Sequence, residues 1–142
     1  MVTVTRTPSS RRRHWGLAGL EVLVALSAVY GGVGLVAANA IGMPDDWLVG
    51  TPFGSWALPG AMLLIVVAAP MAAAATLELR RSVWAAVGSV AAGAAQVGWI
   101  AAELLIMQRY NVLQPVMMLL GLLVVLLALV VRRHEPLWPT PR

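Results

Sequence analysis

The chain has 142 residues, 60% of them hydrophobic and 11% charged, with a mean hydropathy of +0.82 and a formal net charge of +4. Soluble domains are roughly half apolar and about a quarter charged, so this composition is that of a membrane protein. The absence of cysteine excludes disulfides, thiol redox chemistry, iron–sulfur clusters and thiolate metal sites.

All ten basic residues are arginine and alanine is abundant, which points to a GC-rich genome such as an actinobacterial one. The pI of about 11.1 does not imply a nucleic-acid partner, because the arginines sit at the ends of apolar runs, where membrane topology accounts for them.

Residues 1–14 (MVTVTRTPSSRRRH) read as a disordered basic cytoplasmic tail. Four apolar runs follow, at 15–41, 57–79, 82–107 and 112–131, each long enough to cross about 30 Å of hydrocarbon as a helix. They predict an all-α, polytopic transmembrane four-helix bundle that uses residues 15–131 as one domain. The first run amounts to about 40 Å of helix and must tilt or protrude. Residues 132–142 form a proline-rich tail. A secretory signal with cleavage at Ala38-Asn39-Ala40 is the competing reading of the N-terminal run, but its apolar region far exceeds the usual ~7–15 residues.

Orientation follows from the arginines. Four crossings put Arg6, Arg11, Arg12, Arg13, Arg80, Arg81, Arg132, Arg133 and Arg142 on one side and Arg109 on the other. The arginine-rich side is then cytoplasmic, with both termini on it, in a bacterial inner membrane.

Polar residues inside the runs are the candidate site. Ser82, Ser89, Gln96 and Glu103 recur every seven residues, which keeps them on one helix face. Glu21 and Asn39 lie about five turns apart in the first run and point the same way, with Ala25, Ala28 and Gly32 between them. A second small face, Ser27, Gly31, Gly34 and Ala38, predicts that this helix packs centrally and meets the stripe of the third run. A carboxylate facing lipid costs several kcal/mol, so Glu21, Asn39, Ser89, Gln96 and Glu103 are expected to face the bundle interior. Glu21 and Glu103 sit near opposite ends, roughly 15 Å apart along the normal, too far for a hydrolytic pair at about 5–9.5 Å. They serve interhelical hydrogen bonding or a proton or polar-solute route. Glu78, next to Arg80 and Arg81, reads as interfacial.

The remaining chemistry is sparse. His14 and His134 are the only histidines and lie at the rim, a poor pair for haem or, with Glu135, for a metal. No phosphate loop, nucleophile elbow or HExxH motif is present. No catalytic residue, metal or cofactor is assigned. Pro70 predicts a kink in the second run and a freed backbone carbonyl. The loop PDDWLVGTPFGSWALPG brings Asp45, Asp46, Trp47, Phe53 and Trp56 together among glycines and prolines. It predicts a turn-rich outer cap whose aromatics dip into the headgroups, or a lid with an acidic mouth.

The strings WLVGTPF at 47–53, LPG at 58–60, GWIAAELLI at 98–106 and LQP at 113–115 together resemble a group of small four-span bacterial, actinobacterial-like membrane proteins of no assigned activity. The resemblance spans roughly residues 15–131 and implies the four-span fold without any chemistry. In span count and long first loop the chain is also similar to DoxX-type proteins, without a specific motif of that family. The expectation is a non-enzymatic accessory or interaction subunit whose partners are the lipid bilayer and another membrane protein or a second copy. The alternatives are a small proton-linked carrier and a lipid- or quinone-binding protein.

Overall fold

The computed structural model describes residues 14–133. The two tails, with His134 and Glu135 among them, lie outside the described residues.

Hydrocarbon offers the backbone no hydrogen-bond partner, so an apolar run within it closes its own ladder as a helix. Four helices do this: α1 (Trp15–Val36), α2 (Ala57–Leu79), α3 (Ala85–Met107) and α4 (Leu113–Val130), each long and apolar enough to cross a membrane. At ~1.5 Å per residue, even the 18-residue α4 is about 27 Å long. A single 3₁₀ turn, Asp45–Leu48, lies in the α1–α2 loop, and no strand occurs among the described residues. The molecule is an all-α four-helix bundle.

The first helix is shorter than its apolar run. It ends at Val36, and the chain turns through Ala38 (φ 52°) and Asn39 (φ 56°), both left-handed. Asn tolerates that conformation better than most residues, and here its side chain grips the turn. Asn39 Oδ1 accepts from the Met43 amide at 2.9 Å, while Nδ2 donates to the Met43 carbonyl at 2.6 Å. Asn39 is therefore a loop brace and has no place in the intramembrane stripe, because the helix that was to carry it has already ended.

Pro70 acts as its chemistry requires. The ring removes an amide donor and crowds the preceding turn, and the helix answers with a wide π turn over Leu64–Ala68, in which the Ala69 amide reaches back to the Leu64 carbonyl. At the other end of α2, Arg81 is left-handed (φ 54°) and Ser82 N–H donates to Leu77 C=O at 2.9 Å, a Schellman-type stop. Ser82 lies outside α3 and its hydroxyl accepts from the Trp84 amide, so it too leaves the stripe.

The helices form a ring in chain order, as short links between antiparallel neighbours dictate. α1 packs on α2, α2 on α3 and α3 on α4, and the ring closes with a slighter α4–α1 contact. Thus α1 is a corner of the bundle and not its centre. Two of its predicted second-face residues show why: Gly31 faces Leu63 of α2, and Gly34 faces Ile41 of its own following turn.

Glycines set the closest approaches. A Cβ on Gly60 would lie 2.8 Å from the Gly32 carbonyl, and one on Gly93 would lie 2.8 Å from the Gly121 carbonyl. The α1–α2 and α3–α4 pairs therefore touch backbone to backbone, the packing that small residues permit between membrane helices. Between them the core is made largely of alanine (Ala25, Ala28, Ala68, Ala74, Ala92, Ala128) with Val24, Met71 and Val124. Leu26, Leu105, Leu119 and Leu126 point outward and are exposed on the protein surface, as a lipid-facing surface requires.

Candidate functional site

The polar groups collect at the two ends of the bundle and along the inner face of α3. The arginine-rich end holds the most concentrated chemistry. Glu21 projects inward one turn and a half into α1, Glu78 from the last turn of α2, Ser89 from the second turn of α3, and Arg132 from just past α4. Each helix thus contributes one member. Glu21, Glu78 and Ser89 are 0–1% exposed and Arg132 is 7% exposed. The Arg132 Nη2 donates to Glu78 Oε1 at 2.5 Å, forming a buried ion pair. Ser89, Glu78 and Arg132 lie around the Glu21 carboxyl, and both Glu21 oxygens and the Ser89 hydroxyl are fully buried.

Glu78, though next to the end of its helix, is therefore turned inward and not exposed. It occupies the same side of α2 as Met71, Ala74 and Ala75, so helix phase turns it into the core while Arg80 and Arg81 stay exposed. Sequence adjacency to two arginines concealed this. The signal that was available is the spacing of Glu78 from Ala74, Ala75 and Met71, at i−4, i−3 and i−7. Arg132 carried no comparable signal, because only the fold shows which of two consecutive arginines turns inward.

Further along α3, Ala85, Ser89, Ala92, Gln96 and Ile100 are buried on one face. Gln96 donates from Nε2 to the Met117 carbonyl of α4 at 2.5 Å, while its Oε1 has no partner among the described residues. Glu103 is half-buried, with Trp99 beside it one turn earlier. Over the 14 residues from Ser89 to Glu103 this line of polar groups rises about 21 Å. Glu21 meets it at Ser89, across the bundle, and Asn39 does not reach it.

The opposite end carries a cleft of about 630 Å³ between the end of α1 and the 37–56 segment, lined by Leu35, Asn39, Asp45, Phe53, Ser55 and Trp56. Trp56 does not dip outward into headgroups. It is 3% exposed, and its indole N–H donates to Asp45 Oδ1 at 3.1 Å, so the tryptophan ties the start of the loop to the start of α2. Asp45 and Asp46 are exposed at the rim, and Trp47 is half-buried. Thr51 adds a second clasp, donating to the Leu48 carbonyl at 2.8 Å. Among the described residues no three ligating side chains gather around a common point.

Fold and site together define a four-helix, membrane-type bundle with an ionic cluster buried at one end and a preformed cleft at the other. No known protein family, curated protein or solved structure matches the chain, so the reading of its function rests on these two features.

Proposed function

We propose that the protein is an integral protein of a bacterial cytoplasmic membrane, with both termini cytoplasmic, that acts as a non-catalytic accessory or interaction subunit for another membrane protein or for a second copy of itself. The observation that carries this reading is the clasped 37–56 segment. Its Trp56–Asp45 and Asn39–Met43 bonds hold a recognition surface in shape before any partner arrives, and such preorganisation lowers the cost of binding. The nine-to-one arginine distribution supports the orientation, which puts that surface outside. Copurification in mild detergent followed by native mass spectrometry tests it. A stoichiometric partner or a dimer that is lost on Asp45→Ala or Trp56→Ala, with the bundle still folded, is the expected result; a monomer with no associated protein contradicts it.

A second reading, a small proton-linked carrier or a lipid- or quinone-binding protein, draws support from the buried Gln96 Oε1 on the inner line of α3, which has no hydrogen-bond partner among the described residues. Loss of pH-dependent flux in vesicles on Glu103→Gln, or a lipid or quinone retained in the native mass spectrum, would favour it.

A further inference from the structure

The cleft at the end of the bundle away from the arginines measures about 630 Å³, within the range of small-molecule sites, roughly 300–1,000 Å³. Two of its polar side chains are already committed to the fold. Asn39 holds the Met43 amide and carbonyl with its own amide group, and the Trp56 indole N–H donates to Asp45 Oδ1. These bonds leave the second Asp45 oxygen and the Ser55 hydroxyl for an incoming molecule. The clasp also steadies that oxygen, because its Trp56 end is 3% exposed and anchored at the start of α2. Leu35, Leu48 and Phe53 supply an apolar wall, and no basic side chain is among the described residues that line the cleft.

That lining selects by charge and by the number of polar contacts it can return. An anion meets a carboxylate and no positive partner. A hard metal cation such as calcium collects roughly six to eight oxygens, more than one carboxylate and one hydroxyl provide. A sugar would turn most of its hydroxyls toward leucine and phenylalanine, at a cost for each one left unpaired. A positively charged amine with a hydrocarbon body matches every part of the wall. We propose that the cleft binds an organic ammonium ion, its N–H groups donating to Asp45 and Ser55 and its hydrocarbon lying along Leu35, Leu48 and Phe53. Phe53 and Trp56 add aromatic surface, which attracts cations as well as apolar groups. Such an ion comes from an aminophospholipid headgroup or from a free amphiphilic amine. Whether a protein partner also binds the 37–56 segment does not enter the argument.

The full chain in an uncharged maltoside detergent, titrated calorimetrically with hexylammonium, tests the site. Binding should saturate at one per chain, and hexanoate and hexanol should bind at least about tenfold more weakly. Asp45→Asn keeps an oxygen for the Trp56 N–H while removing the charge, so it should weaken hexylammonium about fivefold to tenfold with hydrogen exchange of the 37–56 segment unchanged. Asp46→Asn, next in sequence but outside the lining, should stay within about twofold of wild type. Ser55→Ala leaves the clasp untouched and should cost about twofold to fivefold, which keeps the test decisive if Asp45→Asn loosens the segment. Native mass spectrometry after incubation with equimolar phosphatidylethanolamine and phosphatidylglycerol then separates the sources. Selective retention of phosphatidylethanolamine, lost on Asp45→Asn, assigns the headgroup; hexylammonium binding without retained lipid assigns a free amine; both uphold the site. The proposal is overturned if hexylammonium does not saturate, if hexanoate or hexanol binds as tightly, or if Asp45→Asn and Ser55→Ala both bind it like wild type.

Discussion

The Glu78–Arg132 pair makes a prediction whose size separates the two places Glu78 can occupy. At a water-exposed helix end an ion pair contributes about 0–1 kcal/mol. In the structure, however, Glu78 is 1% exposed and Arg132 7% exposed. Removing one partner of a buried pair strands the other and costs about 3–5 kcal/mol, whereas replacing both with apolar residues of similar volume is often neutral or stabilising. Glu78→Leu should therefore lower stability by about 3–5 kcal/mol, Arg132→Met by a similar amount, and the double variant by far less than the sum. Unfolding of the detergent-solubilised or bicelle-embedded protein, followed by tryptophan fluorescence with a double-mutant cycle, measures all three. Two single variants each costing under about 1 kcal/mol, or a double variant equal to their sum, would show that the pair is not buried as described.

Other consequences are smaller but as definite. A Cβ on Gly93 meets Val125 Cγ2 at 2.7 Å as well as the Gly121 carbonyl, while nothing lies within 4 Å of one on Gly98. Gly93→Ala should thus destabilise the α3–α4 contact by about 1–3 kcal/mol, and Gly98→Ala should stabilise by about 0.4–1 kcal/mol through the unfolded chain; thermal unfolding of the two variants side by side gives the sign of each. Gln96→Leu trades one interhelical bond, worth about 0.6 kcal/mol on average in membranes, for removal of the partnerless Oε1, so its stability should stay within about 1 kcal/mol of wild type in the same assay. Trp56→Phe deletes the Asp45 bond without changing the ring's place and should loosen the 37–56 segment by about 0.5–1.5 kcal/mol, read as faster amide hydrogen exchange there while α1 and α4 exchange as before.

Much of this fold was legible because hydrocarbon imposes a simple rule on the backbone. The second span, expected at 57–79, occupies Ala57–Leu79, and the third and fourth begin within three residues of expectation. The inward faces of α1 and α3 followed from helix phase: Glu21, Ala25, Ala28 and Gly32 are buried together, as are Ser89, Ala92 and Gln96. What the residue order hid was tertiary. The end of α1 depended on an asparagine whose side chain prefers a turn to a bilayer, and the place of α1 in the ring depended on which glycine found another glycine. The membership of the buried cluster depended on a residue 54 positions away, since nothing local to Glu78 reveals that Arg132 will meet it. Trp56 was misjudged because an indole suits an interface and a buried hydrogen bond equally well.

The account stands on one arrangement: leucine-rich faces turned to lipid, polar side chains turned to one another. Because the chain has no cysteine, single cysteines bearing spin labels can be placed freely in the protein reconstituted in vesicles. Labels at Leu26, Leu105 and Leu119 should be accessible to oxygen dissolved in the lipid and shielded from a water-soluble relaxant, while labels at Ser89 and Val124 should be shielded from both. If Ser89 proves as open to lipid as Leu119, or if the leucine positions respond to the aqueous relaxant, the bundle is not assembled in the membrane in this way.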